Sequence, residues 1–254
     1  MLHVDVLTKH FAGLTALTDV SFQVAGGRVA GLIGPNGAGK TTLVNCLTGA
    51  LTPTSGTARW KGRVITGRSP EQAVGIGVTR TFQQARLFPG RSVLDNVMAG
   101  AHSTGRAGMV AATLRLPAAR RDEARMRAAA FEALDAVGCA DLAGVPAGTL
   151  GAGRQRLVAL ARSLATGPEL LLLDEPAAGL NDTETERLAV NLRAVATDRG
   201  LTLIVIEHHL AFVMALCDEV LVLAEGRLIA HGSPSEVRAE PAVISAYLGE
   251  DVPC

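Results

Sequence analysis

The stretch Gly34-Pro35-Asn36-Gly37-Ala38-Gly39-Lys40-Thr41-Thr42 spells G-x-x-x-x-G-K-[ST], the pattern of a phosphate-binding loop. A triphosphate is a dense cluster of negative charge and needs many donors at close range. Glycines at 34, 37 and 39 remove Cβ atoms, so backbone N–H groups can turn inward as an anion nest. Lys40 can reach the β- and γ-phosphates as a point charge, Thr41 can place its hydroxyl on Mg²⁺, and Thr42 can donate near the α-phosphate. Such a loop works only between a strand and a helix, where the positive end of the helix dipole faces the anion. The flanks meet that requirement: Arg28 to Ile33 reads as a buried strand and Thr42 to Leu47 as a helix.

A second concentration of chemistry lies at Glu169-Leu170-Leu171-Leu172-Leu173-Asp174-Glu175-Pro176. Four leucines predict a buried strand of a parallel sheet. Two carboxylates follow at its C-terminal end, where open α/β sheets place their ligands. Asp174 suits Mg²⁺ through water, and Glu175 suits a general base that polarises an attacking water. Leu201 to Ile206 predicts another buried strand, ending in Glu207-His208-His209 at the same edge. A histidine there could sense a γ-phosphate or be structural. Gln83, after the strand-like run ending Arg80-Thr81-Phe82, could reach Mg²⁺ or the attacking water. Thr149-Leu150-Gly151-Ala152-Gly153-Arg154-Gln155-Arg156 is a second glycine-rich turn that opens a helix, with the stripe Leu157, Leu160, Ala161, Leu164 behind it. It reads either as a second anion site or as an ordinary helix N-terminus. Phe11, in the polar-flanked Lys9-His10-Phe11-Ala12-Gly13, reads either as a residue packed on a sheet edge or as a platform for an adenine ring.

The remaining elements must position these groups. Leu2 to Val6 and Val20 to Val24 alternate apolar and polar residues, as strands do, and 50–80 holds turns and short strands. From 91 to 150 the pattern turns helical: Ser92 to Ala101, then the charged, alanine-rich Arg120 to Val137 with Ala130, Leu134 and Val137 on one face and Gly138 as its stop. Asn181-Asp182-Thr183-Glu184 is a capping box before the amphipathic helix of Leu188, Leu192 and Val195. Glu219 to Ala230 predicts a hairpin turning at Glu225-Gly226, and Pro234 to Leu248 predicts two short helices.

At 254 residues and 48% apolar, the chain can bury a large core, and with 3% aromatics that core must be aliphatic. Twenty-four basic residues balance 24 acidic ones, which gives no support to nucleic-acid binding. Cys46, Cys139, Cys217 and Cys254 form no C-x-x-C pair and read as thiols of a reducing compartment. The N-terminus does not read as a signal peptide, and no apolar run approaches the ~18–20 residues that cross a bilayer. Any membrane contact is expected to be peripheral.

In order along nearly the whole chain, these motifs resemble the nucleotide-binding subunit of ABC transporters: the P-loop at 34–41, the Q-loop at Gln83, the signature at 150–154, the acidic motif at 170–175, the D-loop at Ala178-Gly179-Leu180-Asn181 and the switch His208. The resemblance implies an α/β fold with a P-loop NTPase (RecA-like) core, an antiparallel β subdomain and a helical subdomain. It implies one ABC ATPase domain over 1–254: 1–90 and 152–232 as the nucleotide-binding core, 91–151 as the helical subdomain ending at the signature, and 233–254 as a helical tail. Phe11 matches the family's adenine-stacking aromatic. Arg80-Thr81-Phe82-Gln83, Glu175 to Asn181, Ile206-Glu207-His208-His209 and Ala246-Tyr247-Leu248-Gly249 look like branched-chain amino-acid importers, and the length and the insertion near 102–120 look like the longer of that system's two ATPase subunits. Urea and amide importers share much of this pattern, and a lipid or lipopolysaccharide exporter is a further alternative. A soluble ABC ATPase of DNA repair or translation would need coiled-coil inserts or duplicated cassettes, which this chain does not have.

The implied mechanism is a switch that uses ATP and Mg²⁺. Two subunits, a heterodimer or alternatively a homodimer, pack head to tail and trap ATP between one P-loop and the other's signature, Leu150, Gly151, Ala152, Gly153 and Arg154. Hydrolysis assisted by Glu175, with Gln83 and His208, reopens them and drives two transmembrane permeases, fed by an extracytoplasmic solute-binding protein, from the cytoplasmic face of the membrane. Two departures stand out. The signature usually reads Leu-Ser-Gly-Gly-Gln, so Gly151 lacks a hydroxyl, and Asn181 stands where the D-loop usually has an acid. Arg154 lies near enough in sequence to supply compensating positive charge.

Overall fold

The computed structural model describes residues 1–81, 86–101 and 117–248. Packing divides the chain into two units, one of Met1–Arg80, Glu169–Glu175 and the chain from Arg193 onward, the other of Thr81–Pro168 and Pro176–Leu192.

The first unit holds two sheets. The smaller is antiparallel, in the order β2 (Leu14–Val24), β1 (Leu2–Phe11), β4 (Ser55–Trp60), β5 (Arg63–Val64). β1 runs well past the expected Leu2–Val6 because a bulge resets its alternation. Leu2 and Val4 face the core, Val6 takes φ 46°, and the next inward residue is Leu7. β2 does the same at Asp19, φ 49°, so that Leu17 and then Val20 point inward. The amides freed by the bulges find side chains: Val6 N donates to Ser21 Oγ at 2.8 Å and Asp19 N to Thr8 Oγ1 at 3.0 Å.

The larger sheet has the order β10 (Arg227–Gly232), β9 (Glu219–Ala224), β3 (Val29–Ile33), β8 (Thr202–Ile206), β7 (Leu170–Asp174), β6 (Val78–Arg80). All neighbours run parallel except the β9–β10 hairpin. β3, β7 and β8 are buried at every position, as strands covered on both faces must be, and this is why their sequences are unbroken apolar runs. Leu32 pairs with Ile206 and Ile206 with Asp174, so the C-terminal ends of β3, β8 and β7 lie level. Between the sheets, α1 (Lys40–Leu47) packs Leu43, Val44 and Leu47 into a core shared with Leu7, Phe22, Trp60, Leu170, Leu172 and Ile204. The helix α2 (Pro70–Val74), unexpected from sequence, starts at a capping box in which Ser69 and Gln72 satisfy each other's amides. After β10, Ser233 and Glu236 cap α8 (Pro234–Ala239) in the same way, and α9 (Pro241–Leu248) follows, as the tail pattern predicts.

The second unit is helical: α3 (Val93–Ala101), α4 (Pro117–Ala136), α5 (Ala152–Leu164) and the start of α6 (Asp182–Arg199). Ala130, Leu134 and Val137 are buried together, the face that their spacing predicts. Fully buried Asn96 on α3 takes the Phe88 amide at 2.7 Å and gives Nδ2 to the Phe88 carbonyl at 3.1 Å, clamping the segment before the helix.

Candidate functional site

The phosphate loop is held open by its surroundings in the first unit. Gly34 has φ 147°, and a Cβ there would stand 2.0 Å from the Leu223 carbonyl oxygen, so only glycine fits where the loop leaves β3. The β9–β10 turn braces the loop from behind: Gly226 N donates to the Ala38 carbonyl at 3.1 Å, and Thr18 N of β2 donates to the Gly226 carbonyl at 2.8 Å. Gly39 is the N-cap of α1, with no side-chain cap and no acid in the first turn, so nothing cancels the helix dipole there. Lys40 Nζ donates to the Gly34 and Pro35 carbonyls at 2.6 and 2.7 Å, which folds the ammonium over the loop. Asn36, Gly37 and Thr41 are exposed, Thr42 is half-buried and Ala38 is buried.

The acids stand at the end of β7. Asp174 is buried, and its Oδ2 accepts from Arg80 Nη2 at 2.8 Å. Arg80 Nη1 also donates to Asn45 Oδ1 on α1. Glu175 extends the ladder one residue past β7, its N–H donating to the Ile206 carbonyl at 3.0 Å, but at φ 48° its backbone turns sharply and aims the side chain outward. Its Oε1 lies 3.8 Å from His208 Nδ1, across the adjacent strand end. Glu207 is buried beneath, with its Oε2 accepting from His208 N at 3.2 Å, while His209 is exposed and serves as N-cap of α7 (Leu210–Leu216). The structure thus brings Glu175 and His208 side by side and directs His209 into a helix start. Phe11, the last residue of β1, is 39% exposed, with Lys9 Nζ 4.9 Å above its ring. Gln83 lies outside the described residues.

In the second unit the glycine-rich turn does open a helix. Gly151 is the N-cap of α5, extended at φ −63° and ψ 158°, and a Cβ there would meet nothing within 4 Å. Gly153 is the opposite case: a Cβ would lie 2.9 Å from the Gly179 carbonyl oxygen. Arg156 Nη1 donates to the Ala178 carbonyl, so the first turns of α5 and the segment 178–180 are packed as one piece. Arg154 is engaged within the unit, 3.2 Å from Glu184 Oε1 and 3.2 Å from the Gly138 carbonyl. Asn181 caps α6 through its Oδ1, which accepts from Glu184 N at 2.9 Å, while Glu184 Oε2 takes the Asn181 amide, the expected capping box.

The donors of the first unit fit a magnesium nucleotide. The loop offers backbone amides, a helix dipole and an ammonium for the phosphates; the Thr41 hydroxyl and the Asp174 carboxylate are hard oxygen donors. Among the described residues no group of three His, Cys, Asp or Glu side chains forms a cage. Mg²⁺ needs none, because it keeps several waters and is held through one or two protein oxygens together with substrate phosphates. Two contributors were not legible in sequence: Arg80, read only as the approach to Gln83, and the Glu225–Gly226 turn, read only as a hairpin. An arginine ending a strand that lies beside the acidic strand, in register with Leu172 two residues before Asp174, is the signal for the first.

Comparison with known proteins finds ATP-binding cassettes of transporters. Residues 17–178 match the family model described as ABC transporter, and residues 227–253 match the model of the branched-chain amino acid ATP-binding cassette transporter. The chain is 41% identical over 252 residues to the high-affinity branched-chain amino acid transport ATP-binding protein LivG of Salmonella typhimurium, with 98% of both chains covered. It is 40% identical over 250 residues to BraF, the protein of the same description in Pseudomonas aeruginosa, again with 98% of both covered. Among solved structures, the ADP conformation of an ATP-binding cassette of an ABC transporter superposes with a TM-score of 0.83 at 30% identity, with 98% of both chains covered.

Proposed function

This chain belongs to the ABC transporter family of ATP-binding cassettes, and from that membership we propose that it is the ATP-hydrolysing subunit of an importer for branched-chain amino acids or a closely related small polar solute. One observation carries the catalytic part: Glu175 and His208 stand together at the strand ends level with the phosphate loop. The loop 34–42 binds the triphosphate, and Phe11 offers its exposed face to the base. Glu175 accepts a proton from the attacking water, and His208 orients the γ-phosphate end of the site. Mg²⁺, when bound, spreads charge off the phosphates, and Thr41, Asp174 and Gln83 are the residues that would hold it.

A loop that faces outward and a signature turn on the second unit imply that a further ATPase subunit closes the site, with its own Leu150-to-Arg154 equivalent over the phosphates. We assign that role to a different ATPase chain, with a second copy of this one as the alternative. Among the described residues no helix is long and apolar enough to cross a membrane. We assign the solute path to two permease subunits, in keeping with relatives described as transport ATP-binding proteins, with this chain docked peripherally on their cytoplasmic face and an extracytoplasmic binding protein delivering the solute. The branched-chain assignment rests on the match of residues 227–253 and on the relatives at about 40% identity. The test uses the transporter reconstituted with its permeases. Glu175→Gln should retain ATP yet lose hydrolysis by roughly 10²–10⁴-fold, the range for a positioned acid–base group. Near-normal turnover would sink the assignment. Wild-type turnover stimulated by a leucine-loaded binding protein, and not by a urea-loaded one, fixes the solute class.

A further inference from the structure

Arg80 reaches the acid at the end of β7, where its guanidinium pairs with the Asp174 carboxylate. Its side chain is 12% exposed and that of Asp174 is 2% exposed, so the pair sits where water screens it poorly. The guanidinium is a fork with both tips used, Nη2 on Asp174 Oδ2 and Nη1 on Asn45 Oδ1 of the helix that the phosphate loop opens. Its Nε is buried with no hydrogen-bond partner. A buried donor left unsatisfied is unfavourable, so the side chain is kept in this pose by its two tips and not by optimal burial of the whole group. The geometry therefore ties three things through one residue: the carboxylate suited to Mg²⁺, the helix behind the phosphates, and the strand that leads toward Gln83.

We propose that Arg80 is a positioning residue that acts as the competing counter-ion at Asp174, so that it sets how much Mg²⁺ nucleotide binding requires. This rests on the Mg²⁺-dependent nucleotide reading given above. A carboxylate already paired with one cation attracts a second less strongly, and in a poorly screened site the difference is large. The pair also fixes the carboxylate's orientation, so the acid is held in place rather than left to swing. Because the same fork holds Asn45, any loosening at Asp174 is transmitted to α1.

The experiment titrates Mg²⁺ into the full-length protein with a fluorescent ATP analogue and reads the half-saturating Mg²⁺ concentration, with nucleotide affinity in EDTA and melting temperature measured in parallel. In Arg80→Gln the half-saturating Mg²⁺ should fall about tenfold, since the competing charge is gone. Arg80→Lys keeps a charge but loses the two-tipped fork, and its value should fall between the two. A purely structural ion pair would lower the melting temperature and leave the Mg²⁺ midpoint where it was. A midpoint equal to or above wild type in Arg80→Gln, or in Arg80→Lys should the glutamine variant not fold, overturns the proposal. A wild-type protein that binds the analogue with no response to Mg²⁺ would instead overturn the underlying reading of the site, and this inference with it.

Discussion

Replacing Gly151 with serine adds a single hydroxyl at a place where the fold has room for it. The residue is extended, its Cβ position is open, and α5 starts there without a side-chain cap. Serine would supply that cap, but glycine is itself a tolerated N-cap, so the gain in stability is only about a few tenths of a kcal/mol. On the head-to-tail pairing proposed above, any larger effect comes from what the hydroxyl touches when the second subunit presents its nucleotide. A hydrogen bond to a charged phosphate oxygen is worth roughly 1.5–3 kcal/mol, about ten- to a hundredfold in binding or turnover at that composite site. Arg154 does not make up for the missing hydroxyl, because its guanidinium is held by Glu184 and the Gly138 carbonyl. Gly153→Ser is the control: its Cβ would be forced to within 2.9 Å of the Gly179 oxygen and 3.2 Å of Leu180 Cδ2, so it should lower both melting temperature and turnover. The assay measures single-site turnover in the assembled transporter, with Glu175 and the glutamate proposed for the same role in the other ATPase subunit replaced in turn, before and after Gly151→Ser. Unequal sites that become more nearly equal are expected. Equal sites that do not respond to the serine would refute the reasoning, as would a fall in melting temperature beyond about 2 °C in Gly151→Ser, since open space is its premise.

Three further outcomes are expected. His208→Ala should impair turnover while His209→Ala leaves it largely intact, because His208 stands against Glu175 and His209 caps α7; the reverse ranking in the same ATPase assay would show the register of the strand end misread. Lys40→Ala removes a charge-assisted contact and should weaken ATP binding by roughly 1.5–3 kcal/mol, measured by calorimetry; unchanged affinity would mean that the loop does not grip phosphate. Burial pushes the Cys217 thiol up to about 12, with the Asp218 charge adding to it, and the Cys46 thiol up to about 11. Unfolded thiols ionise near 9, so this contribution to stability is complete below that pH and is lost as pH rises through the folded values. Melting temperature plotted from pH 8 to 11 should therefore fall less steeply in Cys217→Ala than in the wild type, and parallel slopes would count against the effect.

What was legible in the sequence was what adjacent residues decide. The phosphate loop, the leucine run into Asp174 and Glu175, the capping box at Asn181 and the hairpin at Glu225-Gly226 are each written within a few consecutive residues, and the structure has each of them. The expected β1 stops at Val6 because the bulge there shifts the inward face by one residue and ends the alternation that marks a strand. The tasks of Gly153 and Arg80 were hidden for a different reason. Each is set by a neighbour far along the chain, the Gly179 carbonyl in one case and Asp174 with Asn45 in the other, and no local pattern records such a meeting.

The three hairpin turns of the first unit differ in how freely their lengths can drift. The turn between β4 and β5 has Gly62, where added bulk would meet nothing within 4 Å, and the one between β1 and β2 has Gly13, equally open. The turn between β9 and β10 is wedged: a Cβ at Gly226 would come within 2.8 Å of the Ala16 carbonyl, and both of its backbone hydrogen-bonding groups are taken by Ala38 and Thr18. An extra residue in that turn would push directly on the loop that grips phosphate. Across homologues, insertions should therefore accumulate around residue 62 and be missing at 225–226. For anyone grafting a tag or a reporter into this chain, Glu225-Gly226 is the turn to leave alone, although it looks in sequence like an ordinary surface turn.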